Sequence, residues 1–152
     1  MRNTFDKYRC LTKDMTIDHI RKLPDFEEVK DEDGEYCGQF IDHRKNGIGI
    51  KIYRDGSVYE GNWVSNLYDG TGLYKTSSGD TYSGGWKLGQ REGFGSLQLT
   101  NGQVYEGEWT AGKKQGRGVW QDRDGNSYVG EWRADEADGH GILISHDGKK
   151  LE

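Results

Sequence analysis

Residues 59–74 read YEGNWVSNLYDGTGLY, and this stretch contains the pattern that decides the fold. Tyr59, Gly61 and Trp63 alternate with polar residues, and a period of two is typical of a β-strand, whose successive side chains point to opposite faces. Gly70 and Gly72 begin a second segment with the same period. The stretch therefore predicts two strands joined by a turn, with both large rings on one face.

The same pattern recurs five times at intervals of 23 residues, without insertions. Each copy contains a tyrosine, then a glycine two residues later, then a large aromatic residue after two more: Tyr36 and Phe40, Tyr59 and Trp63, Tyr82 and Trp86, Tyr105 and Trp109, Tyr128 and Trp132. Each repeat cannot bury its apolar face alone, so neighbouring repeats must pack side by side. We predict an all-β fold, an elongated antiparallel meander of tandem β-hairpins whose ten or so strands span about 48 Å.

Two kinds of turn separate the predicted strands. Tight-turn dipeptides lie between repeats, at Asp55-Gly56, Ser78-Gly79, Asn101-Gly102, Asp124-Gly125 and Asp147-Gly148. Within repeats, the third residue after the aromatic is of a type enriched at positive φ: His43, Asn66, Gly89, Gly112 or Asp135. We expect a tight turn between repeats and a longer loop with one left-handed residue inside each repeat.

The glycines of the second strand need a structural reason, because glycine weakens a strand interior. A Tyr or Trp ring from a neighbouring strand can lie over backbone that has no side chain. Such packing needs few aliphatic residues. It therefore explains why the chain has 12% aromatic residues but only 32% hydrophobic residues and a mean hydropathy of −1.00. The glycines predicted to play this structural role are Gly49, Gly72, Gly95, Gly118 and Gly141.

The charge and cysteine content limit the classes of partner. A net charge of −5 without a basic stripe disfavours nucleic acid, and it makes an anionic lipid surface a weaker candidate than other proteins. Cys10 and Cys37 form no Cys-x-x-Cys pair, which is typical of a reducing compartment. No secretory signal or membrane span is visible in the sequence. We therefore expect a cytoplasmic protein.

No residues form a recognisable catalytic, metal or cofactor site. The four histidines have no matching cysteine or carboxylate pattern, and Gly-x-Gly lacks the strand–loop–helix context of a phosphate loop. We predict a chain that is not an enzyme and has no catalytic residues, metal ligands or cofactors.

The units at residues 59–73 and 105–119 resemble MORN repeats, whose pattern is Tyr-Glu-Gly-x-Trp, a turn, Gly-x-Gly and an Asp-Gly turn. The first copy departs from it with Cys37 and Phe40, and the third with Ser83 and Gly85. The resemblance implies five repeats at about 34–55, 56–78, 79–101, 102–124 and 125–147, with a truncated sixth, in a domain of residues 34–152. It also implies a non-catalytic scaffold or adaptor that binds proteins, with ciliary, flagellar and other cytoskeletal assemblies among its settings. A membrane or phosphoinositide adaptor and a regulatory subunit of an enzyme complex are the alternatives.

The rings and the first variable position of Gly-x-Gly are the candidate binding residues. The rings either fill the sheet or form an exposed stripe that grips a partner. The predicted partner-binding residues are Tyr59, Trp63, Tyr82, Trp86, Tyr105, Trp109, Trp120, Tyr128, Trp132, Phe94 and Arg117. Lys113, Lys114 and Arg117 form either a solvated turn or a contact for anionic lipid.

Residues 1–33 lie outside the repeats. Apolar residues between Thr12 and Leu23 predict a short helix that Pro24 ends, and the acidic run from Glu27 to Asp33 is predicted to be a solvated linker. This extension either caps the first hairpin, whose edge is otherwise open, or docks on a partner.

Overall fold

The computed structural model describes residues 3–152, so Met1 and Arg2 of the predicted extension lie outside it. Within that range the chain forms one antiparallel sheet of twelve strands, whose order in space is their order in sequence. The prediction of an all-β meander of tandem hairpins is confirmed. A 3-10 turn (Thr4–Asp6) and α1 (Ile17–Arg21) precede the strands β1 (Phe26–Lys30), β2 (Gly34–Ile41), β3 (Arg44–Tyr53), β4 (Val58–Val64), β5 (Leu67–Lys75), β6 (Thr81–Lys87), β7 (Gln90–Gln98), β8 (Val104–Thr110), β9 (Lys113–Gln121), β10 (Ser127–Arg133), β11 (Glu136–Ile144) and β12 (Lys150–Leu151).

The two kinds of turn have the reverse of the predicted lengths. Each repeat folds back through only two residues, both with positive φ, such as Leu88 at 50° and Gly89 at 82°. The predicted left-handed residue is present in every repeat, and the residue before it is left-handed as well. Two such residues make a turn whose twist matches that of the strands, which explains the short connection. The Asp-Gly type dipeptides instead lie in loops of four or five residues between repeats.

The two glycines of each Gly-x-Gly have different roles, and the sequence interpretation assigned them a single one. In the first repeat Gly38 pairs with Gly49 but Phe40 pairs with Lys45, so the second strand bulges at residues 46–48. The first glycine of the motif lies in this bulge with a φ of 90° at Gly47, and its equivalents have φ between 78° and 100°. The first glycine therefore provides a backbone conformation, whereas the second provides room for a ring.

Residues 3–23 fold back onto one face of the sheet, and we call this segment the extension. Its helix spans only Ile17–Arg21, shorter than predicted, because Thr16 caps it by accepting a hydrogen bond from the His19 N–H at 3.2 Å. The expectation of a solvated linker after it is wrong for residues 27–30. They belong to β1, which pairs with β2 from Phe26 opposite Gln39 to Lys30 opposite Glu35.

Candidate interaction surfaces

One face of the sheet, which we call the aromatic face, contains a continuous ladder of rings. Tyr82 lies between the tryptophan of its own repeat and that of the next, with its ring centroid 5.0 Å from Trp86 and 5.3 Å from Trp109. The planes are nearly perpendicular, at 82° and 89°, which is a favoured edge-to-face geometry. Tyr59 and Tyr105 occupy the same position in their repeats. The ladder thus links each repeat to the next.

The polar atoms of these buried rings are satisfied by the backbone. The Tyr82 hydroxyl donates to the Gly85 carbonyl at 2.9 Å, and the Trp109 Nε1–H donates to the Gly95 carbonyl of the preceding repeat at 3.1 Å. Burial raises the pKa of Tyr82 and of Tyr105 to about 12, so both phenols remain neutral donors at physiological pH. The repeated hydrogen bonds fix the register between neighbouring hairpins.

Each tyrosine ring lies over the second glycine of its own Gly-x-Gly. A Cβ built on Gly95 would lie 2.5 Å from Cε2 of Tyr82, and one on Gly118 would lie 2.5 Å from Cε2 of Tyr105. Carbon atoms in van der Waals contact are about 3.5–4.0 Å apart, so no side chain fits beneath the ring. The same arrangement holds at Gly49, Gly72 and Gly141.

A row of long side chains covers the ladder, and the sequence analysis missed it. The residue nine positions after the tyrosine is Lys45, Tyr68, Arg91 or Lys114 in the first four repeats. The Arg91 guanidinium lies 4.3 Å from the Trp109 ring centroid, and Tyr68 stacks on Tyr59 at 3.8 Å. Burial lowers the pKa of Lys45 and of Lys114. The recurrence of cations or tyrosine at one repeat position is the signal that could have revealed these cation–π contacts.

The other side of the sheet, which we call the opposite face, binds the extension. Phe5, Ile17 and Ile20 of the extension pack against Cys37 and Ile50 of the sheet. Burial raises the pKa of the Cys37 thiol to about 12, so this cysteine is an inert part of the packing. The first repeats therefore have packed side chains on both faces.

The Glu60 carboxylate lies at the centre of this contact and is fully buried. It accepts hydrogen bonds from the Tyr8 hydroxyl at 2.6 Å, the Leu11 N–H at 2.6 Å, and both the N–H (2.9 Å) and hydroxyl (3.0 Å) of Thr12. Burial and the bond to Glu60 raise the pKa of Tyr8, which keeps the donor proton on the phenol. The contact was not predicted, because a glutamate after tyrosine gives no sign that a distant loop will cover it.

Glu60→Gln is expected to release the extension from the sheet. The amide NH₂ would face N–H and hydroxyl donors, and the hydrogen bonds to a charged acceptor would be lost, which weakens docking by about 2–3 kcal/mol. Hydrogen exchange of the Leu11 and Thr12 amides measures the release. Glu106→Gln is the matched control, since Glu106 holds the same repeat position but is exposed and away from the extension. Unchanged protection in Glu60→Gln would contradict the role of the carboxylate.

The comparison with known families decides what these repeats are. The sequence profile of the MORN repeat matches residues 36–58, 59–81, 82–104, 105–127 and 128–150. The chain belongs to the MORN-repeat family. MORN repeats serve as modules for protein interaction or membrane association, and their all-β fold is typically non-catalytic.

Other comparisons add little to the MORN assignment. Comparison with curated proteins found no match. Among solved structures, the chain is similar to the TCP domain of SAS-4 (dCPAP) of Drosophila melanogaster in complex with a proline-rich motif of Ana2 (dSTIL). The identity is 15%, the match covers 83% of this chain and 88% of that chain, and the TM-score is 0.37.

The structure divides the predicted binding residues of the MORN sheet into two groups. Seven rings of the ladder are at most 9% exposed, so they fill the sheet, which is the first of the two alternatives for these rings: Tyr59, Trp63, Tyr82, Trp86, Tyr105, Trp109 and Trp132. Trp120 and Tyr128 are half-buried on the same face. Phe94 and Arg117 are exposed, but they lie on the opposite face, apart from the ladder. The accessible part of the predicted site is therefore on the face that also binds the extension.

Two further features of this MORN protein concern membrane-spanning helices and metal ligands. Among residues 3–152, the structure has no helix with the length and apolar character needed to cross a membrane. In the same range, no three His, Cys, Asp or Glu side chains are grouped as metal ligands would be.

Proposed function

We propose that this MORN-repeat chain is a non-catalytic scaffold or adaptor that binds other proteins within a cytoskeletal assembly, with the cilium or flagellum as its setting. The observation that carries the binding role is on the opposite face. That face already binds a polypeptide segment, the extension, and it exposes further apolar side chains beyond it, with Phe94 68% and Val129 41% exposed. The cytoskeletal and cytoplasmic setting is supported by the resemblance to MORN-repeat proteins of such assemblies.

Proximity labelling and crosslinked co-purification of the tagged full chain test this function. We expect a small set of protein partners that is absent from a control expressing the tag alone, and we expect the tagged chain to localise with cytoskeletal structures. Recovery of no protein above the control would contradict the scaffold. A diffuse distribution with stable partners would contradict only the setting.

The basic cluster supports a lipid-binding alternative less than its sequence suggested. Lys114 extends over the Tyr105 and Trp132 rings, 5.1 Å from each centroid, whereas Arg117 is exposed on the opposite face. Lys113, Lys114 and Arg117 therefore do not form one surface, and a polybasic lipid site typically needs about 4–8 basic residues. Flotation with anionic vesicles at physiological salt separates the alternatives, since a lipid adaptor would float with them. An enzyme activity that co-purifies with the chain would instead indicate a regulatory subunit.

A further inference from the structure

Three positions that bind the extension recur two repeats later, and there two of the three side chains are exposed. Each recurrence is 46 residues further along the chain, so that Ile48, Val58 and Glu60 correspond to Phe94, Val104 and Glu106. Ile48 and Val58 pack with the apolar side chains of the extension, and Glu60 accepts its hydrogen bonds. In contrast, Phe94 is 68% exposed, and the exposed Glu106 side chain has no hydrogen-bond or ion-pair partner within residues 3–152. The chain therefore repeats an arrangement whose first copy is a working peptide site.

The second arrangement continues into an apolar groove. An open groove of about 580 Å³ begins at Phe94 and Glu106 and extends across β9 to β11, over Val119, Val129 and Ile142. Val129 is exposed, whereas Val119 and Ile142 are half-buried. Outward-facing strand residues next to water are usually polar, so a partly exposed apolar row favours a docked partner. Arg117, Glu131 and His140 also line the groove.

The groove is continuous with the surface that the extension covers. Cross-strand pairs connect Glu60 through Leu73, Ser83 and Ser96 to Glu106 in a single row. At roughly 4.8 Å for each of four strand spacings, the two carboxylates are about 19 Å apart along the sheet. A second segment can therefore dock beside the extension without displacing it.

Charge indicates what kind of segment fits. Residues 1–23 contain six basic and three acidic residues, whereas residues 24–152 contain 15 basic and 23 acidic residues. The sheet is thus acidic and the segment that it binds is basic. A partner segment with a net positive charge is attracted to this acidic sheet in the same way as the extension.

We propose that Phe94, Glu106, Val119, Val129 and Ile142 form a second docking site for a short, basic, amphipathic segment of a partner protein, built like the extension. Loop N–H and hydroxyl groups of that segment donate to the Glu106 carboxylate, as Tyr8, Leu11 and Thr12 donate to Glu60. Its apolar side chains cover Phe94 and Val129. This inference rests on the proposed scaffold function and adds to it the face and the chemistry of the partner.

Fluorescence anisotropy with a labelled synthetic peptide of residues 3–23 tests the site on the full chain. We expect saturable binding with one peptide per chain. Glu106→Gln is expected to weaken it about tenfold, since hydrogen bonds to a charged acceptor are lost. Phe94→Ser removes the main apolar contact and is also expected to weaken binding about tenfold. Glu136→Gln is the matched control: Glu136 is exposed at the start of β11 and does not line the groove, so binding should not change.

Four results would overturn the proposal. The first is no binding by the wild-type chain, and the second is binding that Glu106→Gln and Phe94→Ser leave unchanged. The third is binding that Glu60→Gln abolishes instead, because the peptide would then exchange with the extension at the first site. The fourth is a dimer in light scattering that Phe94→Ser dissociates, because the occupant would then be a second copy.

The outcome for the site can be separated from the outcome for the scaffold function. If proximity labelling recovers partners whose binding is insensitive to Glu106→Gln and Phe94→Ser, the second docking site is wrong and the scaffold function stands. If labelling recovers no partners, the scaffold function is wrong whatever the peptide does.

Discussion

Gly95→Val is expected to lower the free energy of unfolding by at least about 3 kcal/mol. The new Cβ would overlap the Tyr82 ring, whose hydroxyl and edge are fixed by the Gly85 carbonyl and by two perpendicular tryptophans. Overpacking a core typically costs about 1–3 kcal/mol when neighbours can move. Here the obstacle is a ring in a hydrogen-bonded ladder, and Gly95 also pairs with Gly84 and Gly107 on the adjacent strands. Chemical denaturation followed by tryptophan fluorescence measures the change.

Phe94→Val is the matched control for this substitution. It places the same β-branched side chain one residue earlier in the same strand, where the side chain is exposed on the opposite face. Its stability should remain within about 0.5 kcal/mol of wild type, as is usual for surface changes. Equal melting of Gly95→Val and wild type would refute the placement of the ring over glycine.

Trp109→Ala is expected to destabilise the sheet by about 3–5 kcal/mol, the range for large aromatic truncations in a core. The Trp109 side chain is 2% exposed and contacts Tyr82, Tyr105 and the Arg91 guanidinium. Its removal leaves a cavity and takes away both the Nε1–H donor to the Gly95 carbonyl and the ring beneath the Arg91 guanidinium. It also removes the ring contact between the third and fourth repeats, and each repeat depends mainly on its neighbours.

Trp120→Ala provides the comparison for Trp109→Ala. Trp120 is a half-buried ring on the same face, outside the tyrosine–tryptophan ladder. We expect Trp120→Ala to lower the free energy of unfolding by less than half as much as Trp109→Ala, because part of the Trp120 ring already contacts water. Thermal unfolding of both variants checks whether Trp109→Ala is the more destabilising substitution. Similar losses for the two substitutions would show that the ladder has no special part in joining the repeats.

The repeat pattern predicted the strands because its signals are local. Alternation of Tyr, Gly and Trp specifies extended backbone and one shared face, and the strict 23-residue interval makes every hairpin pack in the same way. The lengths of the turns were less well determined. Asp-Gly dipeptides suit several turn types, and Leu88, Ala111 and Ala134 give no local sign of the left-handed backbone that the twist of the strands imposes on them.

The candidate site could be predicted only in part, because exposure depends on what covers a face. Phe94 and Arg117 were singled out as variable positions and are exposed, whereas the sequence left open whether the ladder rings fill the sheet or face a partner. Arg91 and its equivalents cover the rings, and these contacts form only when adjacent hairpins are brought together.

By itself, the sequence determined that this chain folds into MORN hairpins, with rings on one face and glycines beneath them, since periodicity and backbone freedom are local properties. Only the tertiary structure decided which face is open. Glu60 and Glu106 hold the same repeat position and look alike in the sequence. One is buried beneath residues 8–12 and the other is exposed, because a contact between residues about 50 positions apart depends on where the chain folds back.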